Sequence, residues 1–323
     1  MKTIAYCDPF VPAEWIAAHE MRPSRIMPST APASGAVIGM CPYARSFVSE
    51  IASRDDVDAV VLATTCDQMR RASETLAKSS GVEVFLLNVP ATWQTTTAYR
   101  IYGDELRRLG RLLVRLGGTA PSLDDLARTM AEHEAARSTI LAAQGRLSAR
   151  QFSQALADFQ YGDKVDLDSF EPCARPRGVP VALVGGPLLR SHFALFDWIE
   201  CAGGHVALNA TTSGERTLPA LFDRRELGDD PFATLVNAYF GSIPDIFRRP
   251  NSELYRWLKQ KIVERDIRGV IFRYYTWCDL WHAEAPRLKE WLGLPLLVLV
   301  AGDEEGLDRR DASRIQSFLE MLK

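Results

Sequence analysis

Short apolar runs, each followed by a stretch with helical spacing, recur along this chain and constrain its fold more than any other feature. Strands are expected at residues 3–6, 36–40, 58–64 and 82–88, with helices at 12–19, 43–53 and 68–77 between them. Strands alternating with helices imply a parallel sheet joined by right-handed crossovers. From 96 to 160 the apolar residues shift to helical spacing, through Leu106, Leu109, Leu112, Leu113 and Leu116, then Leu123, Leu126 and Met130. Ser122 with Asp125 marks a helix start within it. Residues 161–178 are polar and carry Pro172, Pro176 and Gly178, the composition of a linker. The pattern then restarts, with strands at 179–184, 205–209, 269–276 and 295–300 and helices at 193–202, 231–240, 252–265, 283–292 and 312–322. The fold class is therefore α/β with two similar units. The first, residues 1–165, includes the helical region; the second spans 179–323.

Composition narrows the function. The chain has 323 residues and a net charge of −3, so nothing points to nucleic acid or an anionic membrane surface. No run approaches the roughly 20 apolar residues of a membrane span. The first residues lead straight into a strand without the apolar core and cleavage site of a signal peptide, which reads as cytoplasmic. Six cysteines in such a chain read as thiols or ligands rather than a disulfide frame.

Three of them stand directly after strand-like runs. Residues 35–40 lead into Cys41, 60–65 into Cys66 and 270–277 into Cys278. Open α/β sheets place their chemistry at the carboxyl ends of strands. Thiols brought there by separate strands could converge on one metal centre. The competing reading is that they are small core hydrophobes. Their polar neighbours, Arg45 after Cys41, Asp67 after Cys66 and Asp279 after Cys278, favour a site. Each also falls where a helix begins, a position that lowers a thiol's pKa. Without a Cys-x-x-Cys knuckle, a zinc finger or ribbon does not fit. Three thiolates suit a [4Fe–4S] cluster with one iron open, or a zinc ion with one position open. Cys7 also follows a strand but reads as core or supporting; Cys173 and Cys201 read as structural.

At these residues the sequence resembles the 2-hydroxyacyl-CoA dehydratase family, which includes 2-hydroxyglutaryl-CoA dehydratases and benzoyl-CoA reductases. The matching segments are Tyr6-Cys7-Asp8-Pro9-Phe10-Val11-Pro12-Ala13-Glu14, Cys41-Pro42-Tyr43-Ala44-Arg45 and Thr64-Thr65-Cys66-Asp67-Gln68-Met69. Asn88-Val89-Pro90, Gly185-Gly186-Pro187, Trp277-Cys278-Asp279-Leu280-Trp281 and Gly293-Leu294-Pro295 follow in order, with Asp303 and Arg314 near the end. The resemblance implies two Rossmann-like domains with parallel sheets, a helical insertion between them, and a [4Fe–4S] cluster in the interdomain cleft held by Cys41, Cys66 and Cys278. It implies a homologous partner subunit, as a heterodimer or homodimer, and an ATP-dependent iron–sulfur activator. The implied activity is low-potential one-electron chemistry on an acyl-CoA thioester, through a ketyl radical in the dehydratases and on an aromatic thioester in the reductases. The alternative is a non-catalytic [4Fe–4S] electron-relay partner.

The sequence departs from that pattern in lacking a cysteine at 239–244, in carrying Arg309-Arg310 ahead of Arg314, and in starting at its first strand. These departures point toward a smaller relay subunit, and one spare cysteine argues against a double cluster. Three further residues are candidates for catalysis. Glu14 is a proton donor at the mouth or an exposed helix acid; Arg45, like Arg70, carries CoA phosphate or cluster charge or lies at the surface. His282 is a fourth ligand or proton donor, or a helix-surface histidine. Trp277 and Trp281 shield the centre or pack in the core.

Overall fold

The computed structural model describes residues 1–30, 39–171, 178–302 and 308–323. Two four-stranded sheets organise it, both fully parallel. The first comprises β1 (Thr3–Tyr6), β2 (Arg22–Arg25), β3 (Ala59–Ala63) and β4 (Glu83–Leu87), in the order β2-β1-β3-β4. The second comprises β5 (Val179–Gly185), β6 (Gly204–Ala210), β7 (Gly269–Tyr275) and β8 (Leu296–Ala301), in the order β6-β5-β7-β8. The two orders are the same. In each, the chain reverses direction of travel beside its first strand, between β1 and β3 and between β5 and β7, and such a switch opens a crevice beyond the strand ends. Central strands β1 and β3 are wholly buried, as covered parallel strands must be.

One strand differs from the sequence reading. The strand expected at 36–40 lies mostly outside the described residues, and its last two, Gly39 and Met40, form a turn and a bend. The second strand of the sheet is instead β2, with sequence Arg-Pro-Ser-Arg. It pairs with β1 only, so its proline costs no ladder bond on the open side.

Helices α1 (Ala13–Ala18), α2 (Pro42–Ala52) and α3 (Asp67–Ser79) cross the first sheet. The 96–160 region forms α4 (Thr96–Arg115), α5 (Leu123–Ala142) and α6 (Ala149–Tyr161). Ser122 caps α5 by accepting the Asp125 amide at 3.1 Å, as its spacing predicts. α6 packs against β2 and β6 alike, tying the sheets together. In the second half come α7 (Ala194–Cys201), α8 (Arg224–Asp229), α9 (Pro231–Val236), α10 (Ser252–Glu264), α11 (Asp279–Leu292) and α12 (Arg309–Leu322). The continuous helix expected at 231–240 stops at Val236 and gives way to a π-helical turn at Asn237–Gly241. That turn aims Tyr239 at Glu14 and packs Phe240 flat on Tyr102 at 5.0 Å. Phe222, Leu235, Phe240 and Phe247 thus join the core of the first sheet, although they follow β6 in the chain. Among the described residues, no helix is long and apolar enough to cross a membrane.

Candidate metal centre

Cys66 and Cys278 hold corresponding places. Each is the third residue past the third strand of its sheet, after Ala63 and Tyr275. Each is the N-cap of a helix that opens with aspartate, Asp67 or Asp279. Cys41 is the N-cap of α2, and its sulfur accepts the Ala44 amide at 3.4 Å. Its backbone N–H donates to Gln68 Oε1 at 2.8 Å, which fastens the Cys41 turn to the helix that Cys66 begins. Cys7 follows β1 directly, and its thiol lies 3.5 Å from the Met69 sulfur. All four thiols line a single cavity of about 340 Å³ between the sheets, within the size range of ligand sites.

Burial governs these thiols. It pushes Cys66 and Cys278 up to about 12, against the amides of Met69 and Trp281, which favour the thiolate. Burial also raises Cys41, and Cys7 well above the ordinary thiol value. The expected acidifying effect of the helix starts is present but smaller than desolvation. Among the described residues, no three His, Cys, Asp or Glu side chains are clustered tightly enough to hold one metal ion.

The walls are set by both halves of the chain. Trp281 is buried against Phe272, at 5.7 Å between rings. Trp277 is 68% exposed at the mouth, with φ +68°, a strained backbone for a bulky residue. Of the two tryptophans expected to shield the centre, only Trp281 is packed. Tyr43 of α2 faces Tyr275 of β7 at 6.2 Å, and the Tyr275 hydroxyl meets His192 Nδ1 at 3.1 Å. Arg25 bridges the halves, donating to the Cys7 carbonyl at 3.2 Å and the Thr212 carbonyl at 2.9 Å.

Two buried carboxyls line the cavity that sequence reasoning did not assign. Asp8 accepts from the Phe10 amide at 2.9 Å and from the Thr65 hydroxyl, and burial pushes it up to about 6. Asp245 pairs with the buried Arg216 at 2.8 Å. Asp8 obeys the rule that picked the cysteines, since it lies two residues past a strand. Asp245 carries no such signal, because it sits in an irregular segment after the π turn.

The other sequence candidates lie away from this cavity. Glu14 is not an exposed helix acid. It is 1% exposed, paired with Arg137 at 3.3 Å and bonded by Tyr239, beside a separate small cavity. The acid turns inward because α5 and the π turn bring it partners. His282 is exposed on α11 and stacks on Tyr274 at 5.9 Å. Arg45 is half-buried on α2, where its charge opposes the rise of the Cys41 thiol. Arg70 is an exposed partner of Asp67 at 3.9 Å. Cys201 is exposed at the end of α7, and Cys173 lies outside the described residues.

A family model for the 2-hydroxyglutaryl-CoA dehydratase D-component matches residues 9–322, nearly the whole chain. The chain belongs to that family. Membership makes it a dehydratase-type component, in agreement with the resemblance carried by the cysteine segments. No curated protein matches the chain.

Proposed function

We propose that this D-component family member is the iron–sulfur subunit of a 2-hydroxyacyl-CoA dehydratase or benzoyl-CoA reductase-like enzyme, with a [4Fe–4S] cluster held by Cys41, Cys66 and Cys278. The observation that carries the proposal is the convergence of thiols from both sheets on one largely apolar cavity. A single zinc ion needs its sulfurs about 2.3 Å from one point, and the thiols here are not clustered for that. A cubane spreads its thiolates over different irons and so suits a wider set. Bound there, such a cluster supplies a ligand-poor iron for a substrate oxygen and a site for a low-potential electron.

The chain's own residues do the rest. Backbone amides at the three helix starts favour the thiolate form of each ligand. Phe10, Phe247 and Trp281 keep water from the inner wall. Asp8, whose Oδ2 accepts from the Thr65 hydroxyl beside the thiols, is raised to about 6 and so stands as a carboxylate at neutral pH that is able to accept a proton within the cavity. The proposed units, 1–165 and 179–323, follow the two sheets, with residues 222–247 crossing between their cores.

The family's description as a D-component fits work beside another component. The proposed partners are a homologous subunit and an ATP-dependent activator. The test is electron paramagnetic resonance on the anaerobic, reduced protein titrated with a 2-hydroxyacyl-CoA. The proposal expects the signal to change on adding thioester, and enoyl-CoA to form once partner and activator are supplied. A signal indifferent to thioester, with no turnover, contradicts it and selects the relay reading.

A further inference from the structure

The cavity's charged lining is lopsided. Among the described residues it comprises Asp8, Asp67, Asp245, Asp279 and Arg249. Asp67 and Asp279 are exposed at the helix starts that form the rim. Asp8 and Asp245 are 6% and 7% exposed, so the ionisable groups of the inner wall other than the thiols and Tyr43 and Tyr275 are both carboxyls.

The cations are elsewhere or already engaged. Arg249 is exposed beside the opening, and its Nη1 donates to the carbonyls of Ile246 and Arg248, each at 2.8 Å. Arg25 and Arg216 are buried behind the wall and do not line the cavity. Arg25 donates to the Cys7 and Thr212 carbonyls and the Thr217 hydroxyl. Arg216 donates to the Ala210 and Pro244 carbonyls, the Thr212 hydroxyl and Asp245. They offset the aspartates from behind but leave no guanidinium fork turned toward a ligand. The rest of the lining is apolar or aromatic, with Phe10, Ile246, Phe247, Tyr275 and Trp281, apart from four neutral polar side chains. These are already engaged: Thr64 with Asn88, Thr65 with Asp8, Gln68 with the Cys41 amide and Thr212 with Arg216.

We infer that the acyl chain this cavity accepts is uncharged, an aliphatic or aromatic 2-hydroxyacyl-CoA, and that a chain ending in a second carboxylate is rejected. The inference rests on the thioester-binding reading above. A CoA arm has to leave toward solvent, because its phosphates cannot be buried without cations. The acyl chain then lies inward. A carboxylate on it would be stripped of water beside Asp8 and Asp245, and among the described residues no arginine fork lines the inner wall to receive it. An apolar chain of equal length gains by burial against the aromatic wall. Arg249, at the rim, is left for the phosphates of the CoA arm.

The experiment compares two thioesters of equal chain length, 2-hydroxypentanoyl-CoA and 2-hydroxyglutaryl-CoA, by equilibrium binding to the full chain loaded anaerobically with iron and sulfide. The neutral thioester is expected to bind at least tenfold more tightly. Asp8→Asn is expected to narrow that ratio, since it removes one repelling charge, keeps an oxygen to accept from the Phe10 amide and offers its N–H to the Thr65 oxygen. Equal or tighter binding of 2-hydroxyglutaryl-CoA by the native chain overturns the inference while leaving thioester binding intact. Failure of both thioesters to bind overturns the inference and the reading beneath it. The native comparison alone decides the matter if the variant does not fold.

Discussion

Cys66 and Cys278 differ from Cys201 in place rather than in chemistry. The first two cap helices at the cavity, and the last is exposed on α7. Cys66→Ser and Cys278→Ser should therefore each remove most of the iron taken up on anaerobic reconstitution, while Cys201→Ser should leave it unchanged. Iron retained at the native level by Cys66→Ser would take that residue out of the site. His192 makes a second test at this scale. It is buried between Tyr275 and Arg273, and burial, with the Arg273 charge, lowers it from 6.5 to about 3. The folded chain thus holds it neutral where the unfolded chain protonates it. Its stability contribution is intact above pH 6.5 and is lost as pH falls toward 3, amounting to about 2 kcal/mol by pH 5. Urea midpoints measured at pH 7 and pH 5 should show this loss in the native chain, and His192→Gln should reduce it. An identical pH dependence in the two proteins would contradict the assignment.

Gly185 ends β5 with φ +147°, and a Cβ there would overlap the Arg273 carbonyl oxygen of β7. Gly185→Ala should destabilise the chain by about 3 kcal/mol or more, read from denaturant midpoints, because backbone rather than a mobile side chain must yield. Leu235 of α9 is fully buried in the core built on β1 and β3. Leu235→Ala should cost roughly 2–5 kcal/mol, and hydrogen exchange should quicken in β1 and α4, far earlier in the chain. Protection unchanged there would mean that the segment is not part of that core. These elements also mark what the sequence made legible. β3 is a continuous apolar run, β7 one broken only by Arg273, and α4 repeats leucine at helical spacing, so both classes were readable. β2 was not, because Arg-Pro-Ser-Arg has no apolar signal and is strand only through β1 beside it and α6 over it. The π turn was hidden for a similar reason: it serves Tyr239 and Phe240, whose partners, Glu14 and Tyr102, lie more than 100 residues away. At the site, Cys7, Cys66 and Cys278 were legible because β1, β3 and β7 end just before them, whereas Cys41 follows a turn and a bend. Asp245 was not, since only the folding of an irregular loop delivers it, and Glu14 was misplaced because its partners come from distant elements.

At the scale of the molecule, two sheets of the same order face one cavity, with Cys7, Cys41 and Cys66 from one and Cys278 from the other. Arg25, α6 and the Tyr43–Tyr275 pair already join the halves without any cofactor. A cluster bridging Cys278 to the other thiols would add a further tie. Loading should raise the melting temperature and make it dependent on iron, as binding to the folded state alone requires. Equal melting temperatures with and without iron and sulfide would argue against a bridge. The most direct measurement is iron and acid-labile sulfide analysis of the chain purified without air. The proposed cubane predicts about four of each per chain; a colourless protein with neither, or with a single zinc, would contradict it.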